Sequence, residues 1–134
     1  MAVFGDTWFY IALIDARDTH HEEATRYSRT LKEAQVTTRW VLAELANFAS
    51  SQSGHQAAAG LIRRLEVSRR VRIIEESDQL FEQGLGLYEQ RSDKEWSLTD
   101  CISFVVMQRE GLREFISLKR DSSQRLRAKS EIAS

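Results

Sequence analysis

The sequence predicts a single α/β domain in which helices cover both faces of a central parallel sheet. Short apolar runs rich in β-branched residues alternate with longer amphipathic stretches, and strands separated by helical patterns favour right-handed βαβ units. A length of 134 residues is typical of one domain with a sizeable core. The domain is predicted to span residues 1–121, followed by a polar, basic C-terminal tail at 122–134.

The individual elements follow from periodicity and from capping residues. Four short apolar runs suit the strands of a buried sheet: 2–5, 36–38, 71–75 and 114–118. Six stretches follow a helical pattern of apolar and polar residues: 7–15, 19–33, 39–51, 53–70, 77–91 and 97–110. Asp6 opens the first helix and Ser77 caps the fifth. Thr19 followed by Glu22 matches a capping box at the start of the second.

The charge balance and the single cysteine restrict the function classes. A formal net charge of −1 and a pI of about 6.3 exclude attraction of nucleic acid through overall charge. Local clusters remain: the arginines at 63–70 are interpreted as a solvated helix end, whereas the cations at 119–129 could hold phosphates or an acidic partner. Cys101 cannot form an intrachain disulfide, which fits a reducing cytosol. The N-terminus is a poor signal peptide and no early apolar run approaches the ~20 residues of a membrane span, so a cytoplasmic protein without membrane contact is predicted.

Three carboxylates stand within apolar runs: Asp6, Glu44 and Asp100. A carboxylate directed toward a core is costly unless it is paired, hydrogen-bonded or bound to a metal. Asp6 ends the first predicted strand, and sites in open parallel sheets form at the carboxyl ends of strands. If the fold brings the three acids together, their repulsion raises at least one pKa, and a divalent cation relieves it. A site for a hard metal ion is therefore the first hypothesis.

Two of these acids also have a purely structural interpretation. Asp6 could simply N-cap the helix that follows it. Ser97 and Asp100 fit a capping box, although Asp100 also aligns with Met107 on one helix face. For Asp6 and for Asp100, the sequence is consistent both with a helix cap and with a metal ligand.

Glu44 is harder to explain structurally. The helix at 39–51 is predicted to direct Val41, Leu45 and Phe48 toward the core, and Glu44 shares that face. Because an unpaired glutamate is almost never fully buried, a special role is favoured.

Four segments carry a family resemblance: DTWFYIAL at 6–13, RDTHHEEA at 17–24, TTRWVLAEL at 37–45 and WSLTDCISF at 96–104. In order and spacing they resemble the PIN-domain ribonucleases, especially the VapC-type toxins, over about residues 1–118. The resemblance implies a three-layer α/β/α sandwich and cleavage of RNA phosphodiester bonds with Mg²⁺ or Mn²⁺. It places Asp6, Glu44 and Asp100 on the catalytic, metal-binding acids of the family. Thr7 and Thr99 fall on hydroxyl positions that would orient those carboxylates or the substrate.

One position departs from the family pattern. The family usually carries a fourth acid just after the last strand, following a Ser or Thr. Ser117 matches the hydroxyl, but Lys119 replaces the acid, and Asp121 lies two residues further on. Such a shift moves a group ~6–7 Å along a strand. Asp121 is therefore a fourth metal ligand only if the chain folds back. Otherwise the second metal position is weakened, or Lys119 serves there as a fixed cation.

The chemistry of the three acids leaves the general base open. A metal-bound water is acidified and can attack phosphorus, and either Glu44 or Asp100 could receive its proton. The three histidines are interpreted as surface residues near helix starts and not as rival bases: His20, His21 and His55.

The leading hypothesis is a metal-dependent ribonuclease that is the toxin of a toxin–antitoxin pair, with a small antitoxin as partner. The alternative is a catalytically weakened PIN-fold interaction module, which Lys119 favours. A phosphoacceptor receiver domain is ranked low, because that fold normally pairs two acids after its first strand and this chain has Asp6-Thr7. A homodimer is also predicted, since Trp8, Phe9 and Tyr10 add apolar surface to a small sheet.

Overall fold

The computed structural model describes residues 2–49, 51–116 and 127–129, and its centre is a five-stranded sheet. The strands are β1 (Ala2–Gly5), β2 (Ala34–Thr38), β3 (Val71–Ile74), β4 (Glu114–Ile116) and β5 (Arg127–Lys129). Their order across the sheet is β3-β2-β1-β4-β5. The first four are parallel, which confirms the predicted parallel sheet. β5 pairs antiparallel with β4; it was not predicted, and it lies within the expected tail.

The register aligns the ends of the parallel strands. Phe4 of β1 lies opposite Val36 of β2 and Phe115 of β4, and Val36 lies opposite Arg72 of β3. The sheet therefore has one edge where the strands begin, here called the amino edge, and one where they end, the carboxyl edge.

Within the described part of the chain six helices cover the sheet, which is the predicted number. They are α1 (Thr7–Ile14), α2 (His21–Thr30), α3 (Arg39–Phe48), α4 (Gln52–Val67), α5 (Asp78–Gln90) and α6 (Leu98–Glu110). α1 packs against α2, α3 and α4, whereas α5 packs against α6, so two helical layers enclose the sheet as the sandwich prediction requires. Among the described residues, no helix is both long enough and apolar enough to cross a membrane.

The caps of α2 and α5 show where local prediction succeeds and fails. Ser77 accepts a hydrogen bond from the amide of Leu80, as expected of an N-cap. The predicted capping box of Thr19 is wrong, because α2 begins after His20 and has no side-chain cap. The Asp18 carboxylate instead accepts a hydrogen bond from the His20 amide at 2.8 Å, and this local turn displaces the helix start.

The core holds two of the three aromatic residues of α1. Phe9 and Tyr10 are fully buried, so they provide no surface for a second subunit. The Tyr10 hydroxyl donates a hydrogen bond to Gln35 at 2.9 Å. A methyl group at Gly5 would overlap this hydroxyl, so β1 must carry glycine where the Tyr10 ring crosses it.

The predicted inward position of Phe48 is wrong. Its side chain is 56% exposed, because α3 ends at this residue and the core-facing stripe ends with Leu45. The ring of Phe48 lies 5.2 Å from that of Trp8, which is half-buried.

Candidate active site

The carboxyl edge of the sheet begins with Asp6, the residue directly after β1. Its amide donates a hydrogen bond to the carbonyl of Ile116 at 3.1 Å, which ties the end of β1 to the end of β4. The Asp6 residue is only 6% exposed. Although it holds the N-cap position of α1, its side chain makes no capping hydrogen bond. The simple capping interpretation of Asp6 is therefore wrong.

Threonines line the ends of β1 and β2 next to Asp6. The buried Thr37 hydroxyl donates to the carbonyl of Gly5 at 2.9 Å, and Thr38 caps α3 by accepting from the amide of Val41 at 3.1 Å. These bonds fix the edge on which Asp6 sits. Burial raises the pKa of Tyr10, the hydrogen bond with Thr37 lowers it, and the negative charge of Asp6 raises it further. The carboxylate of Asp6 is thus close enough to influence the Tyr10 hydroxyl.

Glu44 lies on the second turn of α3, the helix that follows the carboxyl end of β2. Its neighbours Val41 and Leu45 are fully buried, Ala43 is exposed, and Glu44 itself is half-buried. It therefore stands at the boundary between the core face and the solvent face of the helix. Its carboxylate is therefore neither fully buried nor fully exposed.

Asp100 forms the predicted capping box at the start of α6. Its amide donates to the Ser97 hydroxyl at 3.0 Å, and its carboxylate accepts from the Ser97 amide at 3.0 Å. The structural interpretation of Asp100 is correct, but it does not exclude metal binding, because an ionised carboxylate has about four acceptor positions. Burial raises the pKa of the neighbouring Cys101 thiol, and the charge of Asp100 adds to this, so Cys101 stays protonated and is no rival nucleophile.

Ser103 was not among the residues predicted for the site. It lies one turn after Asp100 and is 4% exposed, and its hydroxyl has no hydrogen-bond partner among the described residues. The Thr7 hydroxyl, beside Asp6, is in the same situation. Buried hydroxyls without partners are rare and cost roughly 1–3 kcal/mol. The spacing of Asp100 and Ser103, three residues apart on a helix, could have indicated a shared face.

The candidate acids and hydroxyls supply only oxygen donors, the kind that Mg²⁺ and Mn²⁺ prefer. Within the described residues, no three His, Cys, Asp or Glu side chains form a group that could hold a metal ion. Mg²⁺ does not require such a cage, since it keeps several waters and binds through one or two carboxylates and substrate phosphates. The candidate donors are all oxygens, which suits a hydrated cation of this kind, and the Thr7 and Ser103 hydroxyls, which lack partners among the described residues, could bind its waters. Thr99 is half-buried, and three other candidates lie outside the described residues: Ser117, Lys119 and Asp121.

The histidines do not join this edge as bases. The interpretation of His20 as a surface residue is wrong, because its side chain is buried, with 8% of the residue exposed. Nδ1 of His20 lies 3.7 Å from Oε2 of Glu23. Nδ1 of His21 lies 2.7 Å from the carbonyl oxygen of Ala12, a bond that joins α1 to α2. His55 is exposed on α4, as expected.

Comparison with known proteins identifies the class. The PIN domain model matches residues 3–128, so the chain belongs to the PIN domain family, as the four segments predicted. The chain is 29% identical over 121 residues to the 23S rRNA-specific endonuclease VapC20 of Mycobacterium tuberculosis, in two strains. This match covers 90% of the chain and 92% of the relative. Within its family the chain is therefore VapC-like.

Two solved structures support the same placement. The crystal structure of M. tuberculosis VapC20, a sarcin–ricin loop cleaving toxin, superposes with a TM-score of 0.79 at 28% identity, covering 89% of this chain and 91% of that one. A toxin–antitoxin complex from Klebsiella pneumoniae gives a TM-score of 0.62 at 18% identity, covering 89% and 88%. The second likeness concerns the fold alone.

Proposed function

We propose that this chain is the ribonuclease toxin of a toxin–antitoxin pair and cleaves RNA at the carboxyl edge of its sheet with the help of Mg²⁺ or Mn²⁺. Membership of the PIN family supports a nuclease, and the likeness to VapC20 over nine-tenths of the chain supports the toxin class. One structural observation supports this placement: Asp6 is a carboxylate that the fold buries directly after a central strand, at the carboxyl edge of the sheet.

The residues of the chain divide the work of the reaction. Asp6, Glu44 and Asp100 would hold the cation, with Asp121 as a fourth ligand if its segment reaches the site. The chemistry that a bound cation would supply is the acidification of water and the neutralisation of charge on the scissile phosphate. The rigid backbone around Asp6 fixes the first carboxylate, while Thr7 and Ser103 offer hydroxyls that orient water or neighbouring carboxylates. Glu44 or Asp100 receives the proton of the attacking water.

A structured RNA is the favoured substrate. The relatives are described as specific for 23S rRNA and as cleaving its sarcin–ricin loop. We extend only the class of substrate, a folded RNA with a loop, to this chain. A small antitoxin and a second copy of the chain are the proposed protein partners, and the cytoplasm, where such RNA resides, is the proposed location.

The apolar surface available for the proposed dimer is smaller than the sequence predicted. Phe9 and Tyr10 are core residues, whereas Trp8 and the exposed Phe48 form an aromatic pair on the surface. Sedimentation at tens of micromolar protein, an order-of-magnitude choice for weak dimers, should show a dimer that Phe48→Ser weakens. A monomer at all concentrations would contradict this part of the proposal.

The second candidate is a PIN module with weakened catalysis, and Lys119 favours it. An ammonium can neutralise phosphate but cannot bind Mg²⁺.

Two substitutions test the role of this position. Under the main proposal Lys119→Asp tightens Mn²⁺ binding and raises the cleavage rate, while Asp121→Asn has little effect. If Asp121→Asn abolishes cleavage and Lys119→Asp is neutral, Asp121 supplies the fourth carboxylate.

The main proposal is tested by cleavage of a labelled RNA stem–loop with Mn²⁺ and with EDTA. The chain should cleave with Mn²⁺ alone, and Asp100→Asn should reduce the rate at least ~100-fold, because asparagine can keep the capping bond but carries no charge. Asp78→Asn is the matched control, since Asp78 also lies in the first turn of a helix but is exposed on α5. Equal activity of both variants would reject the proposed site, and no cleavage by the parent chain of any RNA would favour the weakened module.

A further inference from the structure

Three chain segments meet at the amino edge of the sheet, opposite the candidate active site. Each joins the end of a helix to the start of a parallel strand: 29–33 leads from α2 into β2, 68–70 from α4 into β3, and 109–113 from α6 into β4. Because the three strands are parallel, these segments must lie along one edge. They are called the basic amino edge below.

This edge concentrates positive charge in a chain whose formal net charge is −1. The three segments carry six cations and two carboxylates. The cations are Arg29, Lys32, Arg69, Arg70, Arg109 and Arg113, and all six are exposed. Of the two carboxylates, Glu110 forms an ion pair with Arg72 of β3, so its charge is already matched. The charge of the edge is thus strongly positive, unlike that of the chain as a whole.

Backbone contacts hold the three segments in place. The guanidinium of Arg70 donates to the carbonyl of Lys32, and the amide of Gln35 donates to the carbonyl of Arg70 at 2.8 Å. The third segment turns at Gly111, whose φ of 69° lies in the left-handed region. After it, the Leu112 amide donates to the carbonyl of Met107 at 2.8 Å. The cations therefore extend from fixed turns.

Four of the five arginines on this edge lack a side-chain partner among the described residues. Arg29, Arg69, Arg109 and Arg113 form no ion pair or side-chain hydrogen bond with any residue that the structure describes. The segments before β3 and β4 are three strand positions apart, which is ~14 Å. A row of this length can contact several phosphates, and arginine matches phosphate oxygens with two parallel hydrogen bonds.

We infer that the basic amino edge is a second RNA-contact surface, which binds the phosphate backbone of a folded RNA whose cleavage site lies at the opposite edge. The inference rests on the proposed ribonuclease function for the identity of the partner. β2 has five residues and separates the two edges by ~17 Å. A short oligonucleotide in the active site would not reach the basic amino edge, whereas a stem that continues from the cleaved loop can wrap to it. The surface would therefore favour large substrates over short ones.

The experiment measures binding without cleavage. Fluorescence anisotropy of an end-labelled RNA stem–loop is recorded in EDTA across a salt series for the parent chain and for the triple variant Arg69→Gln, Arg109→Gln, Arg113→Gln. Loss of three phosphate contacts should reduce the slope of log K against log salt by about 2–3 and weaken binding at least ~tenfold at low salt. The same positions changed to lysine should keep the slope.

The matched control removes the same charge elsewhere. Arg17, Arg26 and Arg63 are exposed and lie outside the three segments, so their change to glutamine should alter the slope by less than about one. Equal losses in both triple variants would overturn the inference, as would tighter binding of duplex DNA than of RNA through the same arginines. An edge that serves an acidic protein would leave RNA binding unchanged, which also overturns it. Because no metal is present, failure of cleavage and failure of this surface are separate results.

Discussion

The two edges of the sheet use charge in opposite ways. At the carboxyl edge the acids are held by the fold: Asp6 is buried, Glu44 is half-buried and Asp100 closes a capping box. At the amino edge, Arg69 and Arg113 are exposed and form no ion pair or side-chain hydrogen bond with a described residue. A substitution of one of these acids should therefore change the stability of the fold as well as any metal binding, because the acids are buried, half-buried or part of a helix cap. The arrangement at the amino edge leaves the arginines available for a partner and nearly irrelevant to folding.

The largest expected effect is that of Asp6→Asn on cleavage. If the buried carboxylate is a metal ligand, the variant should lose at least ~100-fold in RNA cleavage with Mn²⁺, because the amide cannot replace a charged donor. The rate should be measured beside Asp78→Asn, with circular dichroism to establish that both variants are folded. Full activity of Asp6→Asn would remove the carboxyl edge as the site of chemistry.

A change at Gly5 tests how tightly the carboxyl edge is coupled to folding. Gly5→Ala should destabilise the protein by about 1–3 kcal/mol, because its methyl group overlaps the Tyr10 hydroxyl. Gly86→Ala is the control: it lies within α5 with nothing in the path of the new methyl group, and should stabilise by roughly 0.5–1 kcal/mol. Urea unfolding measures both. An unchanged free energy of unfolding for Gly5→Ala would show that the structure at this edge can shift to accept the methyl group.

Two serines on one helix separate a structural hydroxyl from a functional one. Ser97→Ala removes the N-cap of α6 and should cost about 1 kcal/mol in stability without metal. Ser103→Ala removes a buried hydroxyl that lacks a described partner, so it should leave stability unchanged or raise it slightly. It should nevertheless reduce the rise in melting temperature that Mn²⁺ produces. A loss of stability with an unaltered response to Mn²⁺ would assign Ser103 to the core alone.

The smallest effect is expected at the amino edge. Each of Arg69→Gln, Arg109→Gln and Arg113→Gln should change the free energy of unfolding by less than about 0.5 kcal/mol, since none has an internal partner in the described structure. Thermal unfolding of the single variants checks this. Any loss near 2 kcal/mol would show that the edge is a structural network and would erase the contrast with the carboxyl edge.

The sequence was sufficient for elements that depend on local signals. Ser97 and Asp100 form the capping box that their spacing predicts, and β1 has its predicted bounds because its short apolar run ends at Asp6. The start of α2 could not be placed, because Thr19 and Asp18 compete for neighbouring amides and the Asp18 turn prevails. β5 could not be predicted from the sequence, since Arg-Ala-Lys has no apolar alternation. It is a strand only through its pairing with β4.

Candidate site residues followed the same rule. The three acids are predicted as site residues because they interrupt apolar runs, but their positions relative to one another depend on strand order, which no local pattern contains. Ser103 was overlooked because a serine in a helix is ordinary until its burial is known. The prediction that Phe48 faces the core is wrong because Phe48 is the last residue of α3, and the core-facing stripe already ends with Leu45.

The charge of Arg72, whose side chain forms an ion pair with Glu110, affects the solubility of the protein. β3 is the outermost parallel strand, and among the described residues it pairs only with β2. Its run of Val71, Ile73 and Ile74 would attract strands of other molecules if nothing interrupted it. Arg72 places a charge within this run, as gatekeeper residues do. Its replacement by valine would produce four consecutive β-branched residues at an open edge, and the purified protein should then precipitate on storage even though its fold is unchanged.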